Sequence, residues 1–197
     1  MARSLTGVAV YCASSRGIEP ADADMAARTG RVLAERGIRL VYGGGHVGLM
    51  GVLADAALAA GGEVHGVITT ALHDREVAHS GLTRLDVVET MHERKAVMAD
   101  AADAFVMLPG GFGTLDEFFE VLTWTQLRIH DKPCGILDVD GFWDPLVAQL
   151  DRAVERGLVR AEHRRIVVRD DDVGRLLDRL VDVELPSADE GLDPGDR

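Results

Sequence analysis

Seven short runs rich in β-formers, "GVAVYCA", "IRLVYGG", "EVHGVIT", "RLDVVET", "DAFVMLP", "KPCGILDV" and "RRIVVRD", are separated mostly by segments with helical spacing. That alternation is the mark of a parallel sheet covered by helices, because parallel strands need a long crossover between them and the crossover is usually a helix. The helical spacing predicts helices over about 20–37, 48–60, 91–102, 114–129, 141–156 and 171–183. The fold this implies is α/β: Rossmann-like and doubly wound, a mostly parallel sheet with helices on both faces. No repeat period or internal linker interrupts the pattern, so residues 1–184 read as a single domain. The segment 185–197, "LPSADEGLDPGDR", is acidic, Pro/Gly-bearing and short of large apolar groups, and reads as a mobile acidic tail.

Charge narrows the partners. Thirty-three acids against 21 bases give a formal charge of −12 over 197 residues. Such a surface opposes a nucleic-acid backbone and an anionic membrane, so neither is expected as a partner. A small phosphorylated ligand stays open, since a local set of backbone N–H groups and one or two arginines can hold a phosphate within an acidic protein. Cys12 and Cys134 each sit beside a strand-like run, where a buried free thiol is the default, and a reducing, cytoplasmic compartment is expected. The start "MARSLTGVAVYC" has no apolar stretch of signal-peptide length, and no apolar run approaches the roughly 18–20 residues that span a bilayer.

Ligands of open α/β sheets lie beyond the carboxyl ends of strands, and two strand ends here are glycine-rich. In "LVYGGGHVGLMG", Gly43, Gly44 and Gly45 let the backbone approach a ligand, although the spacing is not that of a dinucleotide fingerprint. In "MLPGGFGTLDEFFE", Gly110, Gly111 and Gly113 precede Thr114 at a helix start, which brings free N–H groups, a positive helix end and a hydroxyl together as a cradle for a phosphate monoester. The loop lacks the lysine of a nucleoside triphosphatase loop. Within it Thr114 and Glu117 fit a capping box, in which a threonine caps the first turn and the glutamate three residues on reaches back. Glu117 is therefore either a cap or a catalyst. A carboxylate in a first helical turn is held ionised by the dipole, which makes a poor general acid but a good stabiliser of positive charge at a sugar C1′. With phosphate on the loop, its carboxylate is expected to turn from the backbone towards the sugar.

Arg94 and Lys95, in "ETMHERKAVMADAADAF", fall early on a helix, where cations gain nothing from the helix dipole; they read as a solvated face or as part of a site. The helix after the second glycine motif carries Leu115, Phe118, Phe119, Val121, Leu122, Trp124, Leu127 and Ile129 around its whole circumference, which demands burial on several sides. A second subunit is the simplest cover, so a homodimer is expected. The seven histidines show no pair at metal-ligand spacing, and neither cysteine has a paired neighbour. No metal and no cofactor are expected, and His46, His92 and His130 read as loop or surface residues.

Taken together, "GGGHVGLMG", "HERK", "PGGFGTLDE" and "EVLTWTQLRIHDKP" occur in the order that closely resembles the Lonely Guy (LOG) family of cytokinin riboside 5′-monophosphate phosphoribohydrolases, over about residues 5–180. Members of that family have long carried the label lysine decarboxylase, yet no motif for a pyridoxal phosphate enzyme is present. The resemblance implies a Rossmann-like dimer that cleaves the N-glycosidic bond of a nucleoside 5′-monophosphate to free base and ribose 5-phosphate. It implies Arg94 and Glu117 as the catalytic pair. It puts Glu76, Lys95, Gly111, Phe112, Gly113, Thr114 and Thr123 at substrate-binding positions, with Gly44 and Gly45 of the first glycine motif beside them. Two departures stand out: "LHDREV" lacks the proline that usually precedes the position of Glu76, and Arg128 replaces the glycine that often follows "QL". Alternatives of the same fold are a general purine-nucleotide (AMP) glycosidase and a non-catalytic carrier of a nucleotide or molybdenum cofactor.

Overall fold

The computed structural model describes residues 3–73 and 78–186. The strands are β1 (Gly7–Tyr11), β2 (Arg39–Tyr42), β3 (Val64–Thr69), β4 (Arg84–Val88), β5 (Ala104–Met107), β6 (Cys134–Leu137) and β7 (Val167–Asp170). The helices are α1 (Pro20–Glu35), α2 (Gly48–Ala59), α3 (Thr70–His73), α4 (Met91–Asp100), α5 (Phe112–Gln126), α6 (Asp144–Glu155), α7 (Ala161–Arg164) and α8 (Val173–Asp182). The strands form one sheet in the order β4-β3-β2-β1-β5-β6-β7, and every pairing in it is parallel. The expected strands and long helices are all present. Two single-turn helices, α3 and α7, were not expected, since four residues are too few to carry a period.

Both faces of the sheet are covered, which is why its central strands read as unbroken apolar runs. Alternate residues of β1 serve opposite cores. Val8 and Val10 pack with Leu40, Tyr42, Leu33, Leu53 and Leu176 on one side, and Ala9 and Tyr11 pack with Val41, Met98, Phe105, Phe118 and Trp143 on the other. On the first side Gly30 allows α1 to cross α2 closely, because a methyl group there would overlap the Leu53 carbonyl. β4 lies at an edge of the sheet and is partly exposed.

The expected capping box at residues 114–117 does not form. α5 begins two residues earlier, at Phe112, with Gly111 as N-cap and no side-chain cap. Pro109 and two glycines let the chain turn into the helix before Thr114 is reached, and the Thr114 hydroxyl packs onto Gly110 instead, where any Cβ would overlap it. A true capping box starts α4: Glu93 N–H donates to Thr90 Oγ1 at 3.1 Å, and Thr90 N–H donates to Glu93 Oε2 at 3.0 Å. α5 ends in a Schellman turn, with Arg128 N–H on the Thr125 carbonyl and Ile129 N–H on the Trp124 carbonyl. Arg128 therefore sits in the left-handed position, φ 61°, where glycine is the usual occupant.

Of the tail, Leu185 and Pro186 are described; residues 187–197, like residues 74–77, lie outside the described residues.

Candidate active site

The strand order reverses between β1 and β5, so the chains leaving these two strands diverge and open a crevice at their carboxyl ends. The first emerges as Cys12, Ala13, Ser14 and Ser15; the second as Leu108, Pro109, Gly110 and Gly111. Two backbone bonds join them, Leu108 N–H to the Tyr11 carbonyl at 2.9 Å and Ala13 N–H to the Pro109 carbonyl at 3.1 Å. The cleft above holds about 300 Å³. One wall is Gly111, Phe112, Gly113 and Thr114 at the α5 N-terminus, with Asp116 and Glu117 following; the rest is Cys12 to Ser15, Met50, Leu72, Met91 and Arg94. Methyl groups built on Gly111 or Gly113 would meet no protein atom within 4 Å, so this edge of the helix faces open space. Its first-turn N–H groups have no partner within the helix, the usual condition of an anion site. Phe112, 94% exposed, stands at the lip.

Arg94 and Glu117 meet at the base of the cleft. Arg94 is buried, its Nε donating to the Val67 carbonyl at 2.9 Å and its Nη1 to Glu117 Oε1 at 2.6 Å. The guanidinium lies directly on Gly43, where a Cβ would overlap Nη2, so that glycine is required by close approach. Glu117 is the sixth residue of α5, counting from Phe112, and not in its first turn. The expectation that the helix dipole holds it ionised therefore loses its basis. Burial raises its pKa, the charge and hydrogen bond of Arg94 oppose that rise, and neighbouring Asp116 adds to it; the net direction is upward.

Lys95 is also buried, but it does not line the cleft. Its Nζ lies 3.1 Å from both Asp116 Oδ2 and Glu120 Oε2 on α5. Burial alone would lower its pKa, yet the bonds from Glu120 and Asp116 outweigh that and raise it, so it stays charged. The reading of Arg94 and Lys95 as a solvated face is thus overturned: the two cations join α4 to α5 through adjacent ion pairs.

The remaining expected positions divide. Gly111, Phe112, Gly113 and Thr114 come together with the Arg94–Glu117 pair. Thr123 is on another side of α5, beside Leu115, Phe119 and Trp124, with its hydroxyl on the Phe119 carbonyl at 2.7 Å. Gly44, at φ 76°, accepts from His79 N–H, and Gly45 bridges Ala78; they support that segment and do not line the cleft. Glu76 lies outside the described residues. Among the described residues no group of three or more His, Cys, Asp or Glu is gathered to hold a metal ion. His130 packs between Phe105 and Trp124, half-buried, and burial lowers its pKa. The residues after β1 were not anticipated. Their signal is the reversal of strand order, which spacing along one chain does not reveal. Burial leaves the Cys12 thiol far above its ordinary range and inert.

A family model described as "Possible lysine decarboxylase" matches residues 50–180. A probable cytokinin riboside 5′-monophosphate phosphoribohydrolase of Oryza sativa subsp. japonica is 45% identical over 173 residues, which are 88% of this chain and 78% of that protein. The cytokinin riboside 5′-monophosphate phosphoribohydrolase LOG of the same plant is 49% identical over 161 residues, 82% of this chain and 66% of that one. Among solved structures, the molybdenum cofactor carrier protein of Chlamydomonas reinhardtii superposes with a TM-score of 0.67 at 20% identity, covering 90% of this chain and 98% of that one. At that identity the likeness is one of fold alone.

Proposed function

The chain belongs to the LOG family, and from that premise we propose that it hydrolyses the N-glycosidic bond of cytokinin riboside 5′-monophosphates, releasing the free base and ribose 5-phosphate. The observation that carries this reading is the Arg94–Glu117 pair at the base of a cleft whose wall is the open, glycine-rich start of α5. Phosphate rests on the N–H groups of Gly111, Phe112, Gly113 and Thr114, and this non-reacting end fixes C1′ against Glu117. As the C1′–N bond breaks, the Glu117 carboxylate stabilises the oxocarbenium-like sugar and orients water. One proton of that water leaves with the base and the hydroxyl closes on C1′. Arg94, permanently charged, is no base; pinned to the Val67 carbonyl, it holds Glu117 in place and opposes the rise in its pKa that burial causes.

Lys95 acts in this reading by fixing α5 and not by touching substrate. The apolar side of the cleft favours a second substrate, AMP. Met50, Leu72 and Met91 offer contact area but no strong donor or acceptor to read a base edge, so loss of the N6 substituent removes packing and not recognition. Relatives 45% and 49% identical carry phosphoribohydrolase names, whereas the likeness to the molybdenum cofactor carrier is one of fold alone, which favours the enzyme over that alternative.

We read residues 1–184 as one nucleotide-monophosphate-binding domain and the protein as a cytoplasmic homodimer. Supporting the dimer is α5, whose Phe118 and Val121 are buried while Leu127 and Ile129, just past its end, are 49% and 64% exposed. Leu115, Phe119, Thr123 and Trp124 line a shallow groove beside them, and a partner's Thr123 side would cover it. No helix among the described residues is long and apolar enough to cross a membrane. The deciding experiment is incubation with AMP and with its N6-isopentenyl analogue, followed by chromatography for free base. Base from the isopentenyl nucleotide is expected, with AMP as a slower substrate; no base from either overturns the reading.

A further inference from the structure

Ser14 and Ser15 have exposed side chains in the wall of the cleft, and among the described residues neither hydroxyl has a hydrogen-bond partner. The buried hydroxyls of Thr29 and Thr125, by contrast, are spent on carbonyls one helical turn away. The backbone that carries the serines is nevertheless held firmly. Ala13 donates to the Pro109 carbonyl and accepts from Leu49 N–H at 3.0 Å, and Gly48, at φ 68°, packs so close that a Cβ would come 2.6 Å from the Ser15 carbonyl oxygen. A fixed loop that presents two unused donors across from a helix N-terminus is arranged for something that enters between them.

Charge indicates what that is. Arg94 is the cation among the described residues lining the cleft, and its Nε and Nη1 are already committed to Val67 and Glu117. Lys95 is held by Asp116 and Glu120, while Asp116 and Glu117 add negative charge to the wall. Among the described residues that line the cleft, a phosphate dianion meets no uncommitted cation, so neutral donors there take a large share of its bonds. Three terminal oxygens accept more bonds than the first turn of one helix supplies.

Resting on the reading that the cleft takes a nucleoside 5′-monophosphate, we propose that Ser14 and Ser15 form the second wall of the phosphate subsite, donating to phosphate oxygens opposite the N–H groups of α5. The monoester is then recognised between two backbone-fixed sets of neutral donors. Ser14 and Ser15 bind the non-reacting end of the substrate, so they set affinity and leave the chemical step to Arg94 and Glu117.

Calorimetric titration of wild type, Ser14→Ala, Ser15→Ala and the double variant with AMP, ribose 5-phosphate and adenosine tests this. Each hydroxyl lost weakens AMP and ribose 5-phosphate by about tenfold, as for a hydrogen bond to a charged group, and leaves adenosine unchanged. An equal loss for adenosine would assign the serines to the sugar or to loop structure, and an unchanged affinity for ribose 5-phosphate would remove them from the site; either overturns the proposal. The comparison needs no turnover. Wild type that bound AMP without releasing base would count against hydrolysis, while the serine assignment would still be decided by the same ratios.

Discussion

In the proposed reaction Glu117 acts only if it is ionised, and its surroundings make that conditional. Burial raises its pKa against the pull of Arg94, so the folded protein binds this proton more tightly than the unfolded chain does. The stability it contributes is accordingly present at low pH and lost as pH rises through the folded-state pKa. Activity runs the other way. The acid limb of the kcat profile should lie above the ordinary glutamate range, with turnover falling as the pH drops through it; a limb within the ordinary range would contradict the burial. Arg94→Gln removes the opposing charge, so the residual acid limb should move to still higher pH while turnover drops at least about 100-fold. That the two residues belong to one site was expected from the motifs that carry them, but the environment of Glu117 was not legible. Thr-x-x-Glu occurs at residues 90–93 as a real capping box and at 114–117 as none. The difference lies in the glycines before Thr114, which let the helix begin early and carry Glu117 out of the first turn.

At the level of elements, α4 and α5 form one unit through three ion pairs, Arg94 to Glu117 and Lys95 to both Asp116 and Glu120. Lys95→Met should lower kcat by about tenfold or more while leaving the Kd for AMP nearly unchanged, and Lys95→Arg should restore part of the loss. A loss of AMP affinity with kcat intact would instead make Lys95 a substrate ligand. The far end of α5 offers a stability test. Arg128 occupies a left-handed position that costs a non-glycine residue about 1–2 kcal/mol, and its ion pair with the largely exposed Asp131 returns little of it. Arg128→Gly should stabilise the protein by about 1 kcal/mol in denaturant titration, without a change in turnover. Strands and long helices were readable because each is long enough to show its period. The neighbours of each strand were not, since register and order are set by crossovers, and the role of the loop after β1 went unread with them.

For the molecule as a whole, the parallel sheet does two jobs: it buries a core on each face and leaves a crevice where its strand order turns. The acidic charge of −12 opposes polyanions, while in the proposed subsite a monoester is held locally by neutral donors. The apolar side of α5, visible in the sequence as a helix with no polar face, is half open, which supports the proposed second copy. Sedimentation should give a dimer at micromolar concentration, and Trp124→Glu should give a monomer; a wild-type monomer would refute the subunit cover. The most direct test of the catalytic assignment is a paired measurement on Glu117→Gln with the N6-isopentenyl derivative of AMP, binding by calorimetry and free base by chromatography. Affinity within about threefold of wild type and base release reduced by more than about 100-fold are predicted. Turnover retained at the wild-type rate would contradict the role of Glu117 in the reaction.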